Sequence, residues 1–505
     1  MTGYKLKIGK IISETRERRG LTQSQLATKI NSSQSAINQI ERGQRNISIE
    51  LLDKISTALD QDILQINDTG KINFRVTGPT KLSSAVTVNT SKNAAVGLLC
   101  ASLINKGKTV LRNVARIEEV YRIIEVLQSL GSSCRWLGKN DLEIVHPNIL
   151  KFNEMNITAA TKTRSILMFL GPLLHQYPEF KIPFSGGCSL GVRTIEPHLK
   201  ALKAFGLDVQ ISNNTYVAVT KKTIPEHAIV LTERGDTTTE NVVMAAALSS
   251  GEVTIRNASP NYMVQDLCFY LQKLGIRVDG VGTTILKIRG LPSIRKNVEY
   301  FISEDPIEAM TFVAAGIVTE SELEIKRIPI EFMEQELALL ESMGLVYDVS
   351  DEYASRNEQT RLVDVHIYPS QLIAPKDKIH ALPFPGINMD NLPFFGLIAT
   401  VAKGRTLIHD WSYENRAIYF TDLIPLGVNV ELVDPHRVYI SGPTSWRAAD
   451  IVAPPALRPS VVLLLAMMAA PGISLLRDVY NINRGYEDFA NRLNAIGANI
   501  ETVRG

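Results

Sequence analysis

The sequence predicts a mixed α/β protein of two lobes, preceded by a small all-α domain that contains a helix-turn-helix. Three observations predict this architecture. Short amphipathic helices fill residues 1–68, a unit of strands and helices recurs six times from residue 71 onward, and an apolar residue followed by glycine ends a helix in each unit. Because 505 residues exceed a single hydrophobic core, we expect three parts: a helix-turn-helix domain at 1–68, a first lobe at 71–91 plus 304–505, and a second lobe at 92–303.

The composition is that of an ordinary globular chain, with 45% apolar and 21% charged residues. A net charge of +2 gives no overall field that would attract nucleic acid or a membrane, so any such partner must bind a local patch. The four cysteines lie far apart without CxxC spacing, which indicates a reducing compartment. The longest apolar run, residues 461–470, is too short to span a bilayer. We therefore expect a soluble, cytoplasmic protein without a membrane partner.

The helices of the N-terminal domain follow from apolar spacing and from turn residues. One apolar stripe begins at Ile8, a second helix opens at Leu21, and residues 31–33 form a turn. A third helix covers residues 34–42 and ends at Gly43, and a fourth covers residues 49–59. Two short helices joined by a short turn have the spacing of a helix-turn-helix. Residues 1–43 carry a net charge of +5 and residues 44–68 one of −3, so the basic side includes the helix that would enter a DNA groove.

This domain resembles the Xre/Cro-type DNA-binding family. The family pattern is met by nine residues: Leu21, Thr22, Gln23, Leu26, Ala27, Ser33, Ile37, Glu41 and Gly43. The resemblance implies that Gln34, Ser35 and Asn38 face base edges and that Gln23 holds a phosphate of a DNA partner. A single copy would bind weakly, so recognition of a palindrome requires a dimer. The alternative is a helical dimerisation or peptide-docking module with a solvated basic face.

A repeated unit organises the rest of the chain. A strand pattern recurs at residues 107–113, 251–257, 321–327, 404–410 and 472–478, each time before an amphipathic helix. Glycine is the residue that stops a helix in the left-handed conformation, and it recurs at intervals of about 70 residues at Gly131, Gly206, Gly275, Gly344, Gly427 and Gly497. Three of these stops precede residue 300 and three follow it. We therefore expect two lobes of three units, a boundary near Ser303 and a ligand in the crevice between the lobes.

Three local features of this region point to chemistry on an anionic substrate. Lys92 opens a helix, where an ammonium group and the helix N-terminus together attract anions. Cys188 lies between glycines on a loop, and Arg193 is close enough in sequence to lower the pKa of its thiol. Arginines, which bind carboxylate and phosphate bidentately, stand near repeat boundaries at Arg164, Arg416, Arg458 and Arg484. Each feature alone is also compatible with a solvated surface; together they indicate a substrate that carries both phosphate and carboxylate.

Residues 71–505 resemble the enolpyruvyl transferase family, most closely its branch that acts on UDP-N-acetylglucosamine. The resemblance is carried by the segments FRVTGPTKL at 74–82, SKNA at 91–94, GGC at 186–188, DPIE at 305–308, ENR at 414–416 and RGYE at 484–487. It implies an inside-out α/β barrel of six repeats in two lobes. It also implies transfer of the enolpyruvyl group of phosphoenolpyruvate to the sugar 3-hydroxyl, with release of phosphate, as the first committed step toward peptidoglycan.

The resemblance implies a role for each candidate residue. Lys92, Arg193, Arg458 and Arg484 would hold phosphoenolpyruvate, with Arg416 nearby, in a closing cleft that excludes water. Cys188 would protonate the methylene carbon as general acid, and Asp390 would take the hydroxyl proton. The sugar nucleotide would contact Asn93, Arg164, Thr194, Ile195, Glu196 and Pro197. The loop of Cys188 would act as a lid, and its thiol implies sensitivity to the epoxide fosfomycin. The scheme requires no metal and no cofactor.

Departures from the family pattern fall mainly on the acceptor side. They lie at residues 235–239, 386–395 and 456–459, and Asp236 would bring a negative charge near a diphosphate unless it points away. Two alternatives therefore stay open. One is an enolpyruvyl transferase with another nucleotide or sugar as acceptor; the other is a transcription regulator whose transferase-like body only senses a sugar nucleotide. The proton donor Cys188 argues against a pure sensor, because binding alone needs no general acid.

Overall fold

The computed structural model describes residues 8–9, 12–13, 15–16, 21–45, 47–59, 71–184, 194–221, 223–412 and 415–504. The chain forms two compact units, Met1–Lys71 and Ile72–Gly505. Each unit has a hydrophobic core of its own. Among the described residues, every helix is too short or too polar to cross a membrane.

The N-terminal unit contains three of the four predicted short helices, at Gln23–Lys29, Gln34–Glu41 and Ile49–Leu59, and the first predicted helix lies mostly outside the described residues. Thr22 and Gln25 form a reciprocal capping box at the start of the first of these, and the hydroxyl of Ser33 caps the second. Gly43 follows the second helix with a φ of 68°, in the left-handed region that glycine adopts without strain. Apolar residues of all three helices, together with Ile12, form the core of this unit.

Within the described residues, the second unit forms six small β-sheets, in agreement with the six predicted units of strands and helices. Three sheets consist, in spatial order, of the strands Val298–Phe301, Lys108–Arg112, Asp141–Val145 and Ser133–Leu137; of Glu179–Pro183, Thr215–Thr220 and Leu207–Ser212; and of Arg277–Asp279, Ile285–Arg289, Glu252–Arg256 and Ile229–Val230. Two further sheets consist of Asp450–Val452, Gly472–Arg477, Ile72–Gly78 and Ile500–Arg504, and of Ile379–His380, Gly404–His409, Arg437–Gly442 and Asn429–Asp434. The sixth consists of Tyr347–Val349, Arg361–Ile367, Leu323–Pro329 and Ala85–Thr87, and Tyr353–Ala354 also pairs with Arg361–Ile367. Five of the six sheets combine one parallel strand pair with antiparallel neighbours.

The helices of this unit pack against the sheets and against one another. Their bounds are Lys92–Ala101, Glu118–Ser129, Ile157–Thr161, Leu170–Leu173, Glu196–Leu202, Asp236–Ala247, Tyr262–Lys273, Pro306–Val318, Glu334–Ser342, Leu392–Ala399, Leu457–Ala469, Tyr480–Gly485 and Phe489–Ala495, with 3-10 turns at Ser102–Ile104, Phe152–Glu154, Arg164–Phe169, Lys203–Phe205, Ile330–Phe332 and Ile418–Leu426. Every residue of Pro306–Val318 is buried, which explains why its sequence is apolar on all sides except at Glu308 and Thr311.

The six glycines that the sequence predicts as helix stops all have a positive φ, between 81° and 113°. In the same repeats, the last residue of four predicted strand patterns has a φ between 59° and 65°: Asn113, Asn257, Arg327 and Asp478. A side chain with a Cβ is strained in this region. Three of these residues directly follow an observed strand, and Arg327 lies at a register shift within the strand Leu323–Pro329, so a similar backbone geometry recurs in four repeats. The periodicity in the sequence therefore corresponds to a periodic backbone.

Residues on the two sides of position 303 build different sheets. Strands between 108 and 301 form three of the sheets, and strands from 72–87 and 323–504 form the other three. Two backbone contacts connect the places where the chain passes from one group of sheets to the other. Thr90 forms an isolated antiparallel β-bridge with Glu304, and the amide of Ser91 donates to the carbonyl of Ser303. The lobe boundaries at 91–92 and 303–304 remain a prediction that these pairings support.

Candidate active site

A cavity of about 1000 Å³ lies in the second unit and collects the N-terminal ends of several helices. Its lining includes residues at or just before the starts of Lys92–Ala101, Asp236–Ala247, Pro306–Val318, Leu392–Ala399 and Leu457–Ala469. Helix N-termini carry partial positive charge and unpaired amide groups, so their convergence favours an anionic ligand. Eight of the residues predicted from the sequence line this cavity: Lys92, Asn93, Arg164, Thr194, Asp390, Arg416, Arg458 and Arg484.

Lys92 lies at the first position of its helix because Ser91 caps the helix and accepts a hydrogen bond from the amide of Ala94. The Nζ atom of Lys92 lies 2.6 Å from Oε2 of Glu119, and both side chains are largely buried. Burial acts to raise the pKa of the Glu119 carboxyl, but Lys92 and then Arg484 lower it below its ordinary value. Glu119 is therefore an anion that connects two of the predicted cationic residues electrostatically.

Arg484 belongs to the short helix Tyr480–Gly485 and lines the cavity. Its Nε is buried and makes no hydrogen bond with any residue that the structure describes. A buried N–H of a guanidinium ordinarily has an acceptor, because leaving it unpaired is costly. Arg484 can therefore supply a donor to a bound anion.

Arg458 lies at the second position of the helix Leu457–Ala469 and is buried. One of its NH groups donates to the hydroxyl of Tyr486 at 2.7 Å, and another lies 3.6 Å from a carboxylate oxygen of Asp390. Burial acts to lower the pKa of the guanidinium, but Tyr486, Asp390 and Asp305 raise it above its ordinary value. The structure thus keeps a permanent positive charge next to Asp390, the predicted base.

Arg416 is buried and holds the segment that carries Asp390. Its Nε donates to Asp410 at 2.9 Å, and an NH group donates to the backbone carbonyl of Met389 at 3.1 Å. Burial acts to lower the pKa of Arg416, and Asp410 is the largest of the groups that raise it above its ordinary value. Arg416 therefore lines the cavity and also fixes the residue next to Asp390.

The predicted acceptor residues divide into two groups. Asn93 donates to the hydroxyl of Tyr262 at 3.1 Å, and Arg164 donates to the backbone carbonyl of Thr194 at 3.0 Å; all but Tyr262 line the cavity. Ile195, Glu196 and Pro197 do not line it: Ile195 caps the helix Glu196–Leu202, which Glu196 and Pro197 open. Pro197 suits this first turn because its missing N–H is not needed there.

Asp236, which departs from the family pattern, is held by polar side chains. Its Oδ1 accepts from the hydroxyl of Ser259 at 2.5 Å, and its Oδ2 accepts from Nδ2 of Asn261 at 3.2 Å. Burial raises the pKa of this carboxyl, Ser259 and Asn261 act against the increase, and Asp390 adds to it. The sequence identified this residue as anomalous, but only the fold reveals its two partners.

Glu240 is a second buried carboxyl of the cavity, one helical turn beyond Asp236, and the sequence analysis did not identify it. Burial raises its pKa well above the ordinary value, and Asp236 and Asp266 raise it further. Its Oε1 accepts no hydrogen bond from the described part of the chain. Glu119 and Asp410 were also missed, because a lone acidic residue in a helix or loop carries no spacing signal. Tyr486 stands in the RGYE segment at 484–487, but that segment alone gave no indication of its contact with Arg458.

Cys188 and Arg193 lie outside the described residues, so their roles as general acid and phosphate ligand remain predictions. The other three cysteines, Cys100, Cys134 and Cys268, are buried and form no disulfide within the described part of the chain. Burial raises the pKa of the Cys134 and Cys268 thiols to about 12. They are therefore unreactive thiols at neutral pH.

The predicted DNA-facing residues lie on the two helices of the helix-turn-helix. Gln34 and Ser35 are exposed and Asn38 is half-buried, all on the helix Gln34–Glu41. Gln23 instead donates to Glu41 at 2.8 Å, and Glu41 also pairs with the buried Arg16 at 2.6 Å. Gln23 thus stabilises the module through Glu41, whether or not it also contacts a phosphate.

Comparison with known proteins shows which protein family the second unit belongs to. The sequence pattern of the family described as EPSP synthase (3-phosphoshikimate 1-carboxyvinyltransferase) matches residues 76–493. The chain belongs to this family of enolpyruvyl transferases. A helix-turn-helix family matches residues 12–66, so this enolpyruvyl transferase carries a helix-turn-helix module at its N-terminus.

Relatives at about one third identity span nearly the whole transferase unit. A UDP-N-acetylglucosamine 1-carboxyvinyltransferase of Campylobacter hominis is 32% identical over 446 residues, which cover 87% of this chain and 99% of the relative. The protein of the same name in Helicobacter pylori (strain Shi470) is 30% identical over 432 residues, covering 85% of this chain and 99% of the relative.

Solved structures confirm the enolpyruvyl transferase fold. The enolpyruvyl transferase NikO from Streptomyces tendae superimposes with a TM-score of 0.75 at 22% identity and covers 86% of this chain and 100% of its own. EPSP synthase from Acinetobacter baumannii superimposes with a TM-score of 0.69 at 17% identity and covers 85% and 100%. The expected fold class is therefore confirmed.

Proposed function

We propose that this enolpyruvyl transferase moves the enolpyruvyl group of phosphoenolpyruvate to the 3-hydroxyl of UDP-N-acetylglucosamine and releases phosphate. The observation that carries the proposal is the cavity that brings Lys92, Arg458 and Arg484 together with Asp390 at converging helix N-termini. The names of the relatives support the choice of acceptor. In this proposal the reaction takes place in the cytoplasm and is the first committed step of peptidoglycan synthesis.

The cationic residues act on the donor substrate. Lys92, Arg458, Arg484 and Arg193 bind the phosphate and carboxylate of phosphoenolpyruvate, and the burial of Lys92 and Arg458 away from water strengthens their contacts. Fixed guanidinium forks hold the two anionic groups in a defined orientation, which aligns the reacting carbon with the acceptor hydroxyl. Arg416 acts mainly through Met389, by fixing the segment of Asp390.

Two residues move protons in the proposed reaction. Asp390 accepts the proton of the 3-hydroxyl while the oxygen bonds to the central carbon of phosphoenolpyruvate, and Cys188 gives a proton to the methylene carbon. The adduct then loses a proton from its new methyl group and phosphate from the central carbon, which restores the double bond. Asn93, Arg164 and Thr194 contact the sugar nucleotide.

Phosphate release from phosphoenolpyruvate in the presence of UDP-N-acetylglucosamine tests the proposal. The wild-type chain should release phosphate only when both substrates are present, and Cys188→Ala should abolish the release. Fosfomycin should inactivate the wild-type chain and add its mass to the peptide that contains Cys188. Release without an acceptor, or covalent addition of fosfomycin to the Cys188→Ala variant, would contradict the scheme.

A different acceptor is the second candidate, and Asp236 is the observation that favours it. A buried carboxyl in the cavity disfavours a neighbouring diphosphate unless it is neutral or screened. The same assay with other nucleotides and sugars separates the candidates, since release would then require an acceptor other than UDP-N-acetylglucosamine. If no acceptor supports release and ligand changes DNA binding, the sensing regulator is the better description.

For the N-terminal module we propose binding of double-stranded DNA by a dimer. The exposed Gln34 and Ser35 and the half-buried Asn38, on a capped helix of a matched helix-turn-helix family, support this assignment. A randomised-duplex selection should enrich a palindrome, and affinity should fall steeply with salt. Substituting Gln34 and Asn38 by alanine should reduce the preference for that palindrome more than the binding of random DNA.

A further inference from the structure

The segment that presents Asp390 to the cavity is held by hydrogen bonds to a residue that does not line the cavity. Asp390 stands two residues before the helix Leu392–Ala399, in a segment with an unusual sequence for this family. The backbone amide of Asp390 donates to Oδ1 of Asn388 at 2.9 Å. Asn388 therefore fixes the backbone from which the Asp390 side chain extends.

Glu336 holds Asn388 and Asn391, the two asparagines that flank Asp390. Its Oε1 accepts from the backbone amide of Asn388 at 3.1 Å and from Nδ2 of Asn391 at 2.8 Å. Glu336 comes from another element, the helix Glu334–Ser342, and is only 2% exposed. One buried oxygen thus joins a separate helix to both ends of the Asp390 segment.

The position of Glu336 excludes a direct part in substrate binding at the main cavity. Glu336 does not line that cavity; it lines a second one of about 280 Å³ beside Phe384 and Pro385. Arg416 holds the same segment from the cavity side, through the carbonyl of Met389. The Asp390 segment is therefore held on the cavity side by the guanidinium of Arg416 and on the opposite side by the carboxyl of Glu336.

We propose that Glu336 is a positioning residue for the reaction, which holds Asp390 at the distance from the acceptor hydroxyl that proton transfer requires. This inference rests on the proposed function, in which Asp390 is the base. A general base works only within hydrogen-bond reach of the proton it takes. Without the buried acceptor, two donors lose their partner and the segment relaxes toward another conformation.

Three variants separate positioning from packing. Glu336→Met keeps the volume of the side chain and removes both hydrogen bonds, whereas Glu336→Gln keeps an acceptor oxygen. Glu334→Met is the matched control, because Glu334 is exposed on the same helix and lies 3.9 Å from its ionic partner Arg361. Phosphate release gives kcat and KM for both substrates, and amide hydrogen exchange of the peptide that contains residues 386–391 reports the order of the segment.

Glu336→Met should lower kcat about 10- to 100-fold, because a displacement of about 1 Å has effects of that size, and KM for phosphoenolpyruvate should stay close to the wild-type value. Exchange in segment 386–391 should accelerate. Glu336→Gln should restore both kcat and exchange, and Glu334→Met should change neither. An unchanged kcat in folded Glu336→Met, or a loss that appears in KM alone, would overturn the inference.

Two measurements keep the test decisive. If Glu336→Met does not fold, Glu336→Asp shortens the side chain by one methylene and withdraws the carboxylate from the Asn388 amide and from Asn391; an unchanged kcat there would also refute the inference. If the wild-type chain releases no phosphate, the proposed function fails by itself. In that event unchanged exchange of segment 386–391 in Glu336→Met would show separately that Glu336 does not hold the segment.

Discussion

At the scale of single residues, three cationic side chains that line the cavity each contact a partner. Lys92 contacts Glu119, Arg416 contacts Asp410, and Arg458 lies between Tyr486 and Asp390. Burying an unpaired charge costs several kcal/mol, so these contacts make a dense group of cations compatible with a folded chain. An anionic substrate must therefore compete with Glu119 for Lys92.

Substitution of Lys92 by methionine should reduce phosphate release strongly, because it removes the ammonium from the anion site. We expect kcat to fall about 100- to 1000-fold, the range seen when one electrostatic donor is lost from an active site. Steady-state kinetics of phosphate release measures this. Lys81→Met is the control, since Lys81 forms an exposed pair with Glu320 and should keep full activity; a loss of similar size in the control would refute the assignment.

The sequence could predict the cationic residues of the site but not their partners. Lys92 and the arginines stand in recognisable motifs, and the structure brings those it describes to one cavity. Glu119 and Glu336 lie in ordinary amphipathic helices, where an acidic residue looks like part of a solvated face. Their function depends on contacts with residues 27 and 52 positions or more away, which local spacing does not encode.

At the scale of elements, the helix that begins with Lys92 packs closely against the helix Asp236–Ala247. Gly97 allows this contact, because a Cβ at position 97 would lie 2.3 Å from Oε1 of Glu240. Contacts of that length force a side chain or a helix to move. The close packing of these two helices thus fixes the part of the cavity wall that Val96 and Glu240 form.

Gly97→Ala should therefore destabilise the protein through overpacking, by about 1–3 kcal/mol in the free energy of unfolding. Adding Glu240→Ala should recover part of the loss, since it removes the atom that the new methyl group meets. Urea unfolding of the wild type, both single variants and the double variant gives the coupling energy between the two sites. Strictly additive effects would contradict the proposed steric contact.

At the scale of the whole molecule, buried acids make stability depend on pH. Burial raises the pKa of Asp266 from 3.8 to about 6, although the hydroxyl of Tyr300 and the amide of Ser303 act against it. The folded state then holds a proton that the unfolded state has released. This contribution is fully present below about pH 4 and is lost as the pH rises to about 6.

Asp266→Asn should flatten that part of the pH profile, because the amide does not titrate and can still pair with Tyr300 and Ser303. Relative to the wild type, the variant should gain stability as the pH rises from about 4 to 6 and show a constant difference above pH 6. Urea unfolding at several pH values measures the difference. A gain toward lower pH would show that the sign is wrong.

The separate cores of the two units predict that each folds by itself. Deletion of residues 1–70 leaves the whole core of the second unit in place, since that core contains only residues from Phe74 onward. The truncated chain should keep the thermal stability of the transferase unit and the wild-type kcat for phosphate release, and should lose DNA binding. A large fall in kcat would instead reveal a contribution of the N-terminal unit to catalysis.

The sequence by itself determined the mixed architecture, the six strand-and-helix units, the helix-turn-helix and the cationic character of the site. These properties are local: apolar periodicity, capping residues and glycines at left-handed positions act within one turn or one strand. Only the tertiary structure decided which acids face those cations, why Gly97 is needed beside Glu240, and how Glu336 reaches the Asp390 segment. Such contacts join residues far apart in the chain, and most of them form because a buried polar or charged group without a partner is costly.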